Sequence, residues 1–134
     1  MFSLRHKTAV ITGGTGRLGW EMTKSLHKSG AEVVVVSRNP DKSKIENYFG
    51  TGNDVKLMKC DLTDERDFKS IVEEIGHIDI LVNNAFSEIR TSVEDTKRKE
   101  WDYGIDSMLS QVFFCIQAVL PGMLKQGSGS IINM

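Results

Sequence analysis

Two rhythms of apolar and polar positions share this chain. Five short apolar runs stand out at Thr8–Ile11, Glu32–Ser37, Val55–Lys59, Ile78–Asn83 and Ser130–Asn133. Val33-Val34-Val35-Val36 is apolar without alternation, as in a strand covered on both faces of a parallel sheet. Between the runs, apolar residues recur at helical spacing. Leu18, Met22 and Leu26 lead to Gly30, an amphipathic helix with a glycine stop. Asn39-Pro40-Asp41 reads as N-cap, first-turn proline and first-turn acid. Thr63-Asp64-Glu65 opens another helix, whose apolar face is Phe68, Ile71, Val72 and Ile75. The longest helical region runs from about Thr96 to Gln126, as two helices or one bent helix, until Gly127-Ser128-Gly129 breaks it.

This alternation of strand and helix predicts a three-layer α/β/α fold: a doubly wound parallel sheet of about five strands with right-handed crossovers. Residues 1–134 form one domain at most.

The stretch Thr12-Gly13-Gly14-Thr15-Gly16-Arg17-Leu18-Gly19 joins the first strand to the first helix. A glycine-rich turn there lets an anion approach the unpaired N–H groups and positive dipole end of a helix. The same turn also serves as a plain tight connection, so its neighbours carry weight. The second strand ends at Ser37-Arg38, where this architecture meets an adenosine ribose. An acid at that place would bind a free ribose hydroxyl and repel a 2′-phosphate. Arg38 is instead a fork-shaped cation suited to phosphate oxygens; its plainer reading is a surface arginine at a turn. Arg17 is a second possible phosphate contact.

Composition narrows the classes. The chain is 40% hydrophobic and 26% charged, with a net charge of −1, which gives no sign of a nucleic-acid or acidic-membrane surface. Lys97-Arg98-Lys99 is followed by Glu100 and Asp102 and reads as a solvated helix face. Cys60 and Cys115 lie inside apolar patterns, as small buried hydrophobes of a reducing compartment. His6, His27 and His77 have no ligand partners at suitable spacing, so no metal site is expected. The charged Arg5-His6-Lys7 start is unlike a signal peptide, and no apolar run approaches membrane-spanning length. A cytoplasmic protein is expected.

Together these residues resemble the short-chain dehydrogenase/reductase family over the entire chain. The family's cofactor loop matches Thr12 to Gly19. Its acidic adenine contact matches Asp61 in Cys60-Asp61-Leu62. Its Asn-Asn-Ala-Gly element matches Asn83-Asn84-Ala85, with Phe86 in place of the glycine. Trp101 to Met123 looks like the family's interface helix, and Ser128 to Asn133 like the strand leading to the active site. The resemblance implies a Rossmann-like, dinucleotide-binding domain. Gly13, Thr15, Gly16, Arg17, Leu18 and Gly19 would wrap the pyrophosphate. Arg38 would read the 2′-phosphate, Asp61 the adenine, and Asn83 with Ala85 the adenosine ribose side, while Ser37, Leu62 and Asn84 would also belong to the cofactor-binding set. NADP is the implied cofactor, with NAD less favoured. Homodimers or homotetramers and a small carbonyl or alcohol substrate follow by the same resemblance. Asp61 as a helix cap and the asparagines as turn residues remain open on the residues alone.

Three departures bear on chemistry. The rhythm Gly13, Gly16, Gly19 is that of the family's extended branch of nucleotide-sugar epimerases and dehydratases, and Arg17 stands where the shorter branch has glycine. Asn83-Asn84-Ala85 and the long helix favour the shorter branch. Met108 occupies the place of an asparagine that supports a proton relay, and a thioether cannot donate a hydrogen bond. The family's acid/base is a tyrosine with a lysine four residues later, but Tyr48 is followed at that distance by Gly52 and Tyr103 by Ser107. No catalytic residue is therefore assigned. The expectation is the cofactor-binding half of an NADP(H)-dependent reductase, cut before its catalytic segment. The alternatives are a non-catalytic dinucleotide-binding module or a fragment of a nucleotide-sugar epimerase or dehydratase.

Overall fold

The computed structural model describes residues 2–87 and 89–134. Five strands, β1 (Thr8–Thr12), β2 (Glu32–Ser37), β3 (Lys56–Lys59), β4 (Ile80–Asn83) and β5 (Ser130–Asn133), form one parallel sheet in the order β3-β2-β1-β4-β5. Helices α1 (Arg17–Lys28), α2 (Lys42–Phe49), α3 (Glu65–Ile75), α4 (Arg98–Ile105) and α5 (Gln111–Gln126) lie between them. The doubly wound architecture expected from the sequence is the one found.

The four valines of β2 explain why the sheet holds two helical layers. Successive strand residues point to opposite faces. Val34 and Val36 therefore join Val10, Leu81, Phe68, Ile71, Cys115 and Val119 on the α3–α5 side. Val33 and Val35 join Ala9, Ile11, Val82 and Ile45 on the α1–α2 side, with Trp20 and Leu26 packed against them.

Helix ends follow local chemistry, with one correction. Asp41, not Asn39, caps α2: its carboxylate accepts the Lys44 N–H at 2.9 Å, and the helix starts at Lys42. Pro40 disfavours helical geometry in the residue before it, so the start moves past the proline to the next side chain able to cap. Asp64 caps α3 through the Arg66 N–H at 3.0 Å. Gly127, at φ 71°, closes α5 in the left-handed conformation.

The long helical region resolves as one continuous helix. A π-helical turn at Asp106–Ser110 joins α4 to α5 without a break. The resulting 29-residue helix, Arg98–Gln126, is long and apolar enough by length and composition to cross a membrane, with mean hydropathy 1.5 over its most apolar stretch. This corrects the expectation that no segment reaches that length. Isolated polar residues such as Ser107, Ser110 and Gln117 interrupt the apolar run without lowering its average much. One face of the helix, through Cys115, Val119 and Met123, is buried against the sheet.

Candidate functional site

In a doubly wound sheet the ligand crevice opens where the strand order reverses, at the carboxyl ends of the strands. Here that place lies between β1 and β4. A cleft of about 1170 Å³ opens there. All thirteen residues singled out from the sequence line it: Gly13, Thr15, Gly16, Arg17, Leu18, Gly19, Ser37, Arg38, Asp61, Leu62, Asn83, Asn84 and Ala85.

The glycine loop owes its form to close backbone approach. Gly13 sits at φ +66°, its N–H donating to Val36 O at 2.8 Å. A Cβ on Gly19 would stand 2.3 Å from Gly13 O and 2.6 Å from Asn84 Nδ2. Gly14, which the sequence reading did not single out, faces Thr23, Ile11 and Val35, and a Cβ there would come within 2.7 Å of Thr23 Oγ1.

Among the described residues, no side chain caps α1 at Gly16, and its first turn carries no acid. The N–H groups of that turn have no intrahelical acceptor. They open into the cleft beside Arg17, where the helix dipole favours an anion. Lys44 holds the loop from behind, its Nζ donating to Thr15 O at 2.8 Å and lying 4.9 Å from the Trp20 ring centroid.

A clasp between the ends of β1 and β4 sets the cleft floor. Thr12 Oγ1 accepts the backbone N–H groups of Asn84 and Ala85, both at 3.0 Å. Asn84 Nδ2 returns hydrogen bonds to Thr12 O at 3.0 Å and Gly13 O at 3.2 Å. The second asparagine is thus a backbone bridge. Asn83, buried, turns toward β5 and donates from Nδ2 to Asn133 Oδ1 at 2.9 Å. Gln111, buried at the start of α5, donates to Ala85 O and fixes the far side of the same loop.

The β2 and β3 ends carry the charges. Arg38 crosses the cleft mouth, donating to Tyr103 Oη at 3.4 Å and Ser87 Oγ at 3.3 Å. Asp61 Oδ1 accepts from the Thr63 N–H at 3.0 Å and the Thr63 hydroxyl at 2.7 Å, so it shapes a turn and leaves the helix cap to Asp64. These Thr63 bonds, then the charge of Arg38, hold its carboxyl below the usual aspartate range. Tyr103 is held below the usual tyrosine range by hydrogen bonds to Ser87 and Arg38.

Met108 and Phe86 also line the cleft, both well exposed. Tyr48 lies away from it, in an edge-on aromatic cluster with Trp20 and Phe49. Burial pushes the Cys60 and Cys115 thiols up to about 12. The fold does bring carboxylates to two histidines, His27 to Asp54 at 2.7 Å and His77 to Asp79 at 3.1 Å. Thr12, Lys44, Ser87, Tyr103 and Gln111 were missed as parts of the site. Thr12 alone had a local signal, as a hydroxyl at the end of a buried strand.

The profile described as short chain dehydrogenase matches residues 7–134. This chain belongs to that family. Within the family it is 36% identical over 133 residues to a D-xylose 1-dehydrogenase of Caulobacter vibrioides, a match covering 98% of this chain and 54% of the relative. The crystal structure of 2-keto-3-deoxy-D-gluconate dehydrogenase from Streptococcus agalactiae superposes with TM-score 0.86 at 35% identity, over 98% of this chain and 52% of that one. A short-chain type dehydrogenase/reductase from Mycobacterium marinum gives TM-score 0.89 at 29% identity, over 98% and 56%. The chain spans about half the length of these relatives.

Proposed function

We propose that this chain is the dinucleotide-binding part of an oxidoreductase that uses NADP(H) on a small alcohol or carbonyl substrate. When bound, such a cofactor supplies a hydride donor or acceptor at its nicotinamide. The residues present fit it. The uncapped first turn of α1 offers N–H groups to the pyrophosphate, and Gly13 and Gly19 keep the approach free of side chains. Asp61 faces the cleft as a candidate adenine partner, and Ala85 and Asn83 close it on the β4 side.

The observation that carries NADP over NAD is Arg38, a guanidinium at the β2 end where a carboxylate would exclude a 2′-phosphate. Calorimetric titration of the full-length protein tests it. NADPH should bind more tightly than NADH. Arg38→Ala should cost at least about tenfold in NADPH affinity, the worth of hydrogen bonds to a charged group, and leave NADH little changed. Tighter NADH binding, or unchanged NADPH binding in Arg38→Ala, would overturn the assignment.

A second reading, a dinucleotide-binding module without catalysis, is favoured by Met108 at the relay position. NADPH-dependent turnover of any carbonyl by the full-length protein removes it. Two relatives named for a sugar and a sugar acid support a polyhydroxylated substrate. We also propose self-association through the α4–α5 face, where Leu109, Phe113, Leu120 and Leu124 are exposed. Sedimentation of a monomer at micromolar concentration would count against that. The two buried free thiols support a cytoplasmic location.

A further inference from the structure

We propose that Tyr103 and Ser87 are specificity-determining residues that position the Arg38 guanidinium for a ribose 2′-phosphate; this rests on the NADP(H) reading above. Three polar heads from three different elements converge at one end of the cleft. Arg38 follows β2, Ser87 lies in the segment after β4, and Tyr103 is on α4. The guanidinium donates one N–H to each hydroxyl, at 3.4 Å and 3.3 Å. All three residues line the cleft.

An exposed arginine ordinarily samples many rotamers, and ordering it on binding lowers affinity. Two fixed acceptors reduce that cost by holding the fork across the cleft before the ligand arrives. Neither acceptor is itself loose. Tyr103 has few rotatable bonds and stands on a helix. The Ser87 carbonyl accepts from the buried Ser107 hydroxyl at 3.3 Å, which ties the segment to the π-helical turn. Asp61 flanks the guanidinium from the β3 side, close enough to feel its charge.

The chemistry suits a phosphomonoester. Both hydroxyls accept from the guanidinium, and Ser87 gives its own proton to Tyr103 Oη, which joins the two acceptors to each other. The remaining arginine N–H groups offer the planar fork that phosphate oxygens accept. A free 2′-hydroxyl would use little of this array, so the three groups act on selectivity more than on affinity for the nucleotide as a whole.

The test compares 2′,5′-ADP with 5′-AMP, which differ only in the 2′-phosphate, by calorimetry on the full-length protein. Tyr103→Phe and Ser87→Ala should each weaken 2′,5′-ADP about fivefold, the worth of one hydrogen bond, and shift 5′-AMP by less than about twofold. In an Arg38→Ala background, Tyr103→Phe should have no further effect on the ratio. Unchanged binding of both ligands, equal weakening of both, or tighter 2′,5′-ADP binding in Tyr103→Phe would overturn the proposal. The last of these would make the contacts a strap that the ligand must break. If Arg38→Ala itself leaves the ratio unchanged, the NADP(H) reading fails. If Arg38→Ala loses selectivity while the hydroxyl variants keep it, only this inference fails.

Discussion

Asn84→Asp is the sharpest probe of how the cleft floor is held. The substitution keeps size and shape but turns the donor of the clasp into an acceptor. In the parent, Nδ2 donates to Thr12 O at 3.0 Å and Gly13 O at 3.2 Å. Losing two hydrogen bonds of roughly 1 kcal/mol each costs about 2 kcal/mol. A carboxylate facing two carbonyl oxygens adds repulsion, for a total of about 3 kcal/mol at neutral pH. With a urea slope of about 2 kcal/mol per M, the unfolding midpoint should fall by about 1.5 M.

The same substitution carries a pH signature. The introduced carboxyl is held in its neutral form by the two oxygens, so its folded pKa lies above its unfolded value. Its protonated form donates one of the two lost bonds. The variant's deficit against the parent is therefore smallest at a pH below the unfolded value of about 3.9 and grows as pH rises through the folded pKa. Urea titrations of parent and variant from acidic to neutral pH read both effects. A neutral-pH deficit under about 0.5 kcal/mol, or a deficit that does not change with pH, would refute the clasp as described.

Three further outcomes follow from the same geometry. Gly19→Ala places a Cβ against a backbone carbonyl, whereas Gly16→Ala meets nothing nearer than 3.2 Å; calorimetry should show dinucleotide affinity falling at least about tenfold in the first and much less in the second, and equal losses would sink the idea. Asp79 is buried and accepts from Lys7 Nζ at 2.8 Å, the Thr8 N–H at 3.0 Å and His77 Nε2 at 3.1 Å. Burial pushes its pKa up, but these bonds outweigh it and hold the pKa below the usual value. Asp79→Asn should cost about 2 kcal/mol at neutral pH, a gap that narrows as pH falls below the unfolded aspartate value of about 3.9 and through the depressed pKa; a gap that does not narrow on acidification would contradict the reading. With both thiols pushed up to about 12, iodoacetamide at pH 8 should label the native protein about a thousandfold more slowly than a free thiol. Fast labelling by intact mass without unfolding would refute it.

What the sequence made legible was whatever periodicity and turn chemistry encode locally. The pattern marks all five strands to within two residues of their observed ends: β1, β2 and β4 because an apolar run buried on both faces leaves a continuous signal, and the more exposed β3 and β5 because turn residues bound a short run rich in apolar side chains. Asn39 does not cap α2 although the sequence pattern suits it, because Pro40 fits a first helical turn as well as the extended segment before one, and only the Asp41 carboxylate on the Lys44 N–H decides between them. The apolar spacing of the long helix fits one piece or two, since a π-helical turn changes hydrogen bonding without changing that spacing. The cleft-lining residues were legible as a set because glycines, an arginine and paired asparagines at strand ends share one architectural logic. Their connections were not. Arg38 and Tyr103 are 65 positions apart, and Asn84 and Thr12 are 72 apart. Such contacts depend on strand register and crossover direction, which no local pattern carries.

Tyr103 shows why position has to decide between chemistries. A phenol held below its ordinary range beside a cation is the property that the family's acid/base requires, and on that property alone Tyr103 would be assigned to proton transfer. Its neighbours argue otherwise. Arg38 and Asp61 stand at the ends of β2 and β3, the two strands on one side of β1, while Asn83 and Asn133 pair on the other side through β4 and β5. A dinucleotide with its pyrophosphate on the α1 N-terminus and its adenosine over β2 and β3 sends its nicotinamide toward β4 and β5. Tyr103 then stands at the adenosine end, out of reach of the reacting carbon. Its pKa is lowered by the Ser87 hydrogen bond and then by Arg38, the group proposed above to read the phosphate, so under that proposal the shift records a binding corner. On this reading the same physical device, a phenol beside a fixed positive charge, contributes selectivity at one end of the cleft, and proton transfer is left to groups at the other.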